Sequence, residues 1–256
     1  PDSTVCVVLR EHQRFFLPEL RSLDRSQIVE QPTNRGTAAA VAYALRRVAA
    51  LAKRPTVVGF FPSDHHYANS LALQRTVALA SSAARTHPDR VFLVGAEATE
   101  PESDYGWIVP GSPLIDPAQP ASRPMPARTV SRFWEKPSPE VARALLSRGC
   151  LWNTFIVIGS DQAFGRLLER TQPAFWSEFE AIGASGTPAR EAAAARAMFN
   201  RIQPVDFSRD VLERGGSSLA VLPMPNAGWT DLGRPARVLD VLTRSRLPHP
   251  RLRLAA

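Results

Sequence analysis

Directly after the apolar run 57–61 the sequence reads Pro62-Ser63-Asp64-His65-His66. A carboxylate at the end of a buried strand is placed to hold Mg2+, a hard cation that takes oxygen ligands and usually shares them with substrate phosphates. Asp64 is therefore the first metal candidate, with a turn cap as its competing use. His65 and His66 are adjacent, so they do not readily face one point, and no third ligand is evident; that argues against a transition-metal site. A second carboxylate, Asp231, occurs in Trp229-Thr230-Asp231-Leu232-Gly233, ahead of the last helix. Two acidic ligands from separate strands match the usual arrangement for Mg2+ with a nucleotide, although Asp231 would also serve as a helix N-cap.

Trp134-Glu135-Lys136-Pro137 follows the apolar segment 129–133. Glu135 can accept hydrogen bonds from sugar hydroxyls, and Lys136 offers a compact positive charge to a phosphate. Adjacent Glu and Lys are commonly a surface ion pair. Here the chain holds only two lysines, Lys53 and Lys136, among 31 Lys and Arg residues, and that scarcity favours a function. The fourth place is Gln31-Pro32-Thr33-Asn34-Arg35-Gly36-Thr37, between a strand and a helix. Gly36 permits close backbone approach and a helix N-terminus offers free N–H groups, which suits a nucleotide base or ribose. A helix entry capped by Asn34 or Thr37 accounts for the same residues equally well.

These four places need rigid supports, and the hydropathy pattern supplies them. Apolar runs predict strands over 5–9, 27–30, 57–61, 91–94, 129–133, 155–158 and 219–222. Helices are predicted over 11–20, 37–51, 70–85, 139–148, 161–171, 189–199 and 235–243. Continuous apolar strands alternating with helices predict an α/β fold, a mostly parallel central sheet with helices on both faces. In such sheets ligands bind beyond the carboxyl ends of the strands, where all four places fall. The Pro-rich stretch 110–126 is predicted as a long surface loop.

Composition narrows the class. With 44% apolar residues the chain can bury a core, and no stretch is apolar enough for a membrane span. Two cysteines, Cys6 and Cys150, do not make a disulfide framework, so a reducing, cytoplasmic setting is expected. The net charge of +7 is spread along the chain, densest only in the tail 244–253, and this speaks against a nucleic-acid surface.

Taken in order, seven segments resemble the sugar-phosphate nucleotidyltransferases, most closely the bacterial mannose-1-phosphate guanylyltransferases. They are Gln31-Pro32 with Asn34-Arg35-Gly36-Thr37-Ala38; Phe61-Pro62-Ser63-Asp64-His65; Tyr105-Gly106-Trp107-Ile108; Phe133-Trp134-Glu135-Lys136-Pro137; Trp152-Asn153-Thr154-Phe155; Val205-Asp206-Phe207; and Trp229-Thr230-Asp231-Leu232-Gly233. The resemblance implies a Rossmann-like nucleotidyltransferase fold forming one domain over 1–256. It implies Mg2+ on Asp64 and Asp231, and a nucleotide pocket that includes Gln31, Pro32, Asn34, Arg35, Gly36, Thr37, Ser63 and Asp64. Tyr105, Gly106, Glu135, Asn153 and Asp206 resemble sugar-site positions, with Lys136 on the sugar phosphate. The implied reaction joins a nucleoside triphosphate, GTP by resemblance, to a sugar-1-phosphate, mannose-1-phosphate by resemblance, releasing pyrophosphate. Positioning and charge neutralisation suffice for it, and Lys136, Asp64 and Asp231 would carry them.

Two departures stand out. The family's Gly-rich triphosphate loop has no counterpart, since no Gly precedes Gly36, and the chain starts at Pro1; roughly 50 to 70 upstream residues, one to two βαβ units, are expected to be missing. Many relatives also carry Gly after the Asn of Asn153-Thr154-Phe155. No hexapeptide period follows residue 243, so no C-terminal β-helix is expected. Partners are then the two substrates, with no nucleic acid and no membrane, and homodimerisation is left open. The main alternative is a non-catalytic sugar-nucleotide-binding regulator; a phosphoesterase built on Asp64-His65-His66 would need further aspartates that the sequence lacks.

Overall fold

The computed structural model describes residues 4–52, 54–115, 126–182 and 188–245, and the side chains of 188–191 are outside the description. Lys53, most of the Pro-rich stretch and the basic tail beyond Ser245 therefore lie outside the described residues. Strands β1 (Cys6–Leu9) and β2 (Ile28–Gln31), with α1 (Gln13–Glu19) between them, form a parallel pair. Helix α2 (Thr37–Ala52) leads to β3 (Val57–Phe60), the short β4 (His65–Tyr67), α3 (Ser70–Thr86) and β5 (Val91–Glu97). Then come β6 (Gly106–Pro113), β7 (Arg128–Glu135), α4 (Pro139–Ser147), β8 (Leu151–Ser160), α5 (Asp161–Thr171), α6 (Pro173–Ile182) and α7 (Pro188–Arg201). A π-helical turn Phe207–Leu212 precedes β9 (Leu219–Met224), β10 (Trp229–Asp231) and α8 (Pro235–Arg244).

The central sheet has six strands in the order β3-β8-β5-β9-β7-β6. Four of them, β3, β5, β6 and β9, run one way and β7 and β8 run the other. The expected parallel character thus holds for strand direction but not for neighbours. Only β5 and β9 are hydrogen-bonded in parallel within this sheet, because β8 inserts between β3 and β5 and β7 returns beside β6. A further pairing of Trp107 with Trp152 joins β6 to β8, so β5, β8, β6, β7 and β9 form a closed circuit of ladders.

Strand alternation divides the core in two. On β5, Val91 and Leu93 face a cluster shared with α2, α5, α6 and α7, while Phe92, Val94 and Ala96 face one shared with α3 and α4. Helices therefore cover both faces, as the α/β reading requires.

The Pro-rich loop was expected to begin at Pro110; instead β6 runs through Pro110 to Pro113. Both prolines sit where the β6–β7 register shifts, and a missing N–H is tolerated there. Helix α6 opens on Pro173, which reads as a breaker in the sequence yet suits a first helical turn. The short β4 and β10 pair only with each other and carry no apolar run.

Candidate functional site

The β4–β10 pair brings the two expected metal ligands together. Asp231 is in register with His65, and the Leu232 N–H donates to the Asp64 carbonyl at 2.8 Å. The Asp64 side chain is 66% exposed, and Nε2 of His65 lies 3.9 Å from it, too far for a hydrogen bond. Asp231 is more enclosed. Its Oδ1 accepts from the Gly233 N–H at 3.0 Å and from Arg237 at 2.6 Å, and no hydrogen bond to Oδ2 is made among the described residues. Carboxylate oxygens are the donor type a hard cation takes, but no group of three His, Cys, Asp or Glu side chains that could hold a metal occurs among the described residues.

His65 lies between these carboxylates, and its residue type and position in the sequence give it no role there. Trp229 donates its indole N–H to His65 Nδ1 at 3.1 Å, so in the neutral ring the proton is on Nε2, toward Asp64. Burial lowers the imidazole pKa below its usual value, and the nearby Asp64 and Asp231 only partly oppose that.

A second group assembles where the start of β6, the end of β7 and the first residues of β8 meet. Gly106 is in register with Glu135, and a methyl group added at position 106 would lie 2.9 Å from Glu135 Oε2 and 3.2 Å from Asn153 Cβ. Three residues from three strands thus meet around a position where an added methyl group would press on the Glu135 carboxylate. Asn153 is buried and its Oδ1 accepts from the Phe155 N–H at 3.1 Å. The register skips between Leu93 and Gly95, a bulge in which the Thr154 hydroxyl donates to the Val94 carbonyl at 2.8 Å and accepts from the Ile156 N–H. Phe155 takes a left-handed backbone, φ 56°, in this bulge.

Glu135 ends β7, and its N–H donates to Glu213 Oε1 at 2.6 Å. Burial, and then the Asp206 carboxylate, push its own carboxyl up to about 7, with Lys136 and Arg209 opposing. Lys136 follows with φ 49°, a strained backbone for a residue with a side chain, and its side chain is exposed where the chain turns through Pro137 into the Ser138 cap of α4. Asp206 joins this group electrostatically while also capping the π-helical turn, accepting from the Arg209 N–H at 2.9 Å.

Tyr105 does not join them. Alternation turns it to the opposite face, where it is buried against Trp152 and Trp229 and bonds Thr230 at 3.3 Å. Arg237 stacks on its ring at 4.4 Å while reaching Glu102 at 2.8 Å. A cavity of about 620 Å³ lies on this face, lined by His66, Trp152, Trp229 and Thr230 among others; Asp64, Glu135, Lys136 and Asn153 are not in its wall.

The 31–37 segment is tied to the chain around Val205. The Val205 N–H donates to the Arg35 carbonyl, the Arg35 guanidinium bonds the Phe199 carbonyl at 2.6 Å, and Thr37 Oγ1 accepts from the Phe207 N–H at 2.8 Å. Gly36 is required by this neighbour: at φ 82° a Cβ would meet the Val205 carbonyl oxygen at 2.3 Å. Asn34 closes the loop by accepting from the Gly36 N–H at 3.0 Å. Gln31 is buried with Oε1 unpartnered, an acceptor a ligand could satisfy. Pro32 is half-buried and Ser63 exposed, beside Asp64.

The chain is 29% identical over 247 residues to the xanthan biosynthesis protein XanB of Xanthomonas campestris pv. campestris, covering 92% of this chain and 48% of that protein. It is 29% identical over 237 residues to a mannose-1-phosphate guanylyltransferase of Sinorhizobium fredii, covering 89% of this chain and 43% of that one. The chain thus spans about half the length of the curated relatives it matches. Among solved structures, a protein described as the mannose-1-phosphate geranyltransferase of Thermus thermophilus superposes with a TM-score of 0.78 at 21% identity, over 98% of this chain and 66% of that one. That likeness establishes the fold. No helix among the described residues is long and apolar enough to cross a membrane. The nucleotidyl transferase family profile matches residues 2–245, and the chain belongs to that family.

Proposed function

We propose that this chain provides the metal and sugar-phosphate part of an enzyme that transfers a guanylyl group from GTP to mannose-1-phosphate, giving GDP-mannose and pyrophosphate. The observation that carries the reading is the meeting of Gly106, Glu135 and Asn153 beside Lys136, on the same strand-end architecture that pairs Asp64 with Asp231. The guanylyl and mannosyl assignments draw support from the Sinorhizobium fredii relative.

In the reaction a phosphate oxygen of the sugar-1-phosphate bonds to the α-phosphorus of the triphosphate as the bond to pyrophosphate breaks. Asp64 and Asp231 would hold Mg2+, which when bound would neutralise phosphate charge. Lys136 would hold the attacking phosphate, and its constrained backbone limits the entropy lost in doing so. Glu135 and the Asn153 amide would receive sugar hydroxyls, with Gly106 leaving room for the ring. Gln31 Oε1 would accept from a nucleobase donor, and Asn34, Arg35, Gly36 and Thr37 form the adjoining wall.

The test is pyrophosphate release by the full-length protein with Mg2+ across a panel of GTP, ATP, UTP and dTTP against mannose-1-phosphate and glucose-1-phosphate. Preference for GTP with mannose-1-phosphate is the expected result; turnover only with another pair would overturn the specificity, and none with any pair the enzymatic reading. One observation favours a second reading, a sugar-nucleotide-binding regulator: Arg237 already neutralises Asp231. That reading expects GDP-mannose binding without turnover.

A further inference from the structure

We infer a second ligand site, for a small hydroxylated phosphate ester, in a surface cleft of about 490 Å³ at the opposite end of the strands from Asn153. The cleft lies where β5 and β9 begin, at paired Val91 and Leu219. Asn153 pairs with Gly95 farther along β5. Successive strand residues advance by roughly 3.3 Å, so the steps from Val91 to Gly95 set the cleft about 13 Å from Asn153 along β5.

Three guanidiniums converge on the cleft, those of Arg90, Arg166 and Arg170. Each is held by neutral acceptors alone. Arg90 donates to the Ser217 carbonyl at 2.6 Å and Arg166 to the Pro88 carbonyl at 2.9 Å; Arg170 donates to the Ser218 hydroxyl at 2.5 Å and to the Gly215 carbonyl. A guanidinium carries five N–H donors, so most donors of all three remain uncommitted. None of the three forms an ion pair among the described residues, whereas Arg10, Arg143, Arg201, Arg234, Arg237 and Arg244 each do. Gathering three like charges is unfavourable, and Asp89 and Glu169 in the same cleft offset only two of them. Planar, forked guanidiniums match phosphate oxygens better than they match isolated carbonyls.

The same cleft carries Asp89 and Glu169, neither within ion-pair distance of the arginines. A bare inorganic anion would gain nothing from them. Hydroxyl groups would, since an ionised carboxylate accepts hydrogen bonds and cannot donate. Arginines for the phosphate and carboxylates for the hydroxyls together select a phosphorylated polyol, and the cleft has the volume of a small-molecule site. The arginines also bridge the turn before β5, helix α5 and the turn before β9, so an occupant would brace three elements.

The test uses glucose 6-phosphate as probe, titrated calorimetrically into the full-length protein. One site of submillimolar to millimolar affinity is expected, weakened at least tenfold in the Arg166→Gln/Arg170→Gln double variant and unchanged in Lys136→Met. Circular dichroism and the melting temperature of the double variant establish that it is folded; if it is not, Arg90→Gln alone carries the comparison. No binding up to 10 mM, or binding that the arginine substitutions leave intact, overturns the proposal. Because binding rather than turnover is read, the outcome does not depend on the activity proposed above.

Discussion

Arg237 donates to Oδ1 of Asp231 at 2.6 Å and, through its other amino group, to Glu102 at 2.8 Å. Helix α8 is thereby clamped both to the candidate metal carboxylate and to the loop that enters β6. Replacing it by methionine leaves Glu102 and Asp231 without their shared counter-charge, while Asp104 keeps its ion pair with Arg234. The group is only partly buried, so the expected cost is about 1–3 kcal/mol, below that of a fully buried pair. Millimolar Mg2+ should restore part of it by taking the place of the guanidinium. Urea denaturation of Arg237→Met with and without Mg2+ checks this; equal curves would show that the ion does not bind at Asp231.

Glu135 has a pH signature. Its carboxyl is raised from 4.5 to about 7 in the folded protein, so the folded state holds the proton more tightly than the unfolded chain does. Stability from this group is complete below pH 4.5 and is lost as pH rises through 7. Allowing for solvent screening, the loss is on the order of 1–2 kcal/mol. Urea midpoints at pH 5 and pH 8 should fall more for the native protein than for Glu135→Gln. Parallel falls would refute the shift.

Gly106→Ala tests the sugar pocket. The added methyl group would sit 2.9 Å from Glu135 Oε2 and push that carboxylate aside. The KM for the sugar phosphate should rise on the order of 10- to 100-fold, given how steeply activity depends on ångström-scale placement. The KM for the triphosphate should stay within about twofold, since the 31–37 segment is untouched. Equal rises in both would place Gly106 outside a sugar-specific role.

Phe155 offers a test of backbone strain. Glycine at an ordinary position is worse than alanine by about 0.5–1 kcal/mol, but at φ 56° the order should reverse. Both Phe155→Gly and Phe155→Ala lose the ring packed against Phe207 at 5.9 Å, so their difference isolates the backbone. Denaturation should find the alanine variant the less stable of the two.

Much of the fold was legible because local signals agreed with the tertiary structure. Helix α5 begins where Ser160 caps it, its Oγ accepting from the Ala163 N–H at 2.9 Å, and its apolar spacing points to one face. Strand β8 is legible only over 155–158, because polar Asn153 and Thr154 interrupt its apolar run. The bulge explains their presence there, with Thr154 satisfying the Val94 carbonyl across the strand pair. Strands β4 and β10 escape notice because three residues each, paired only with one another, leave no periodicity. At the site, Asn153 and Gly106 come only through the family resemblance, whereas Asp64, Asp231, Glu135 and Lys136 could be picked from residue type at strand ends. Arg237, Glu213 and the place of His65 could not. Their partners lie far away in sequence, and nothing local marks an arginine as the one that reaches Asp231. Adjacency groups Tyr105 with Gly106, although neighbouring strand residues face opposite ways.

The most direct test of the central claim is Mg2+-dependent formation of GDP-mannose and pyrophosphate by the full-length protein, compared between the native sequence and Asp231→Asn. The expected result is turnover in the native protein and a loss of on the order of 100-fold or more in the variant, with the fold retained, as removal of a charge-stabilising group implies. Near-native turnover in Asp231→Asn, or no metal-dependent turnover in the native protein, would contradict it.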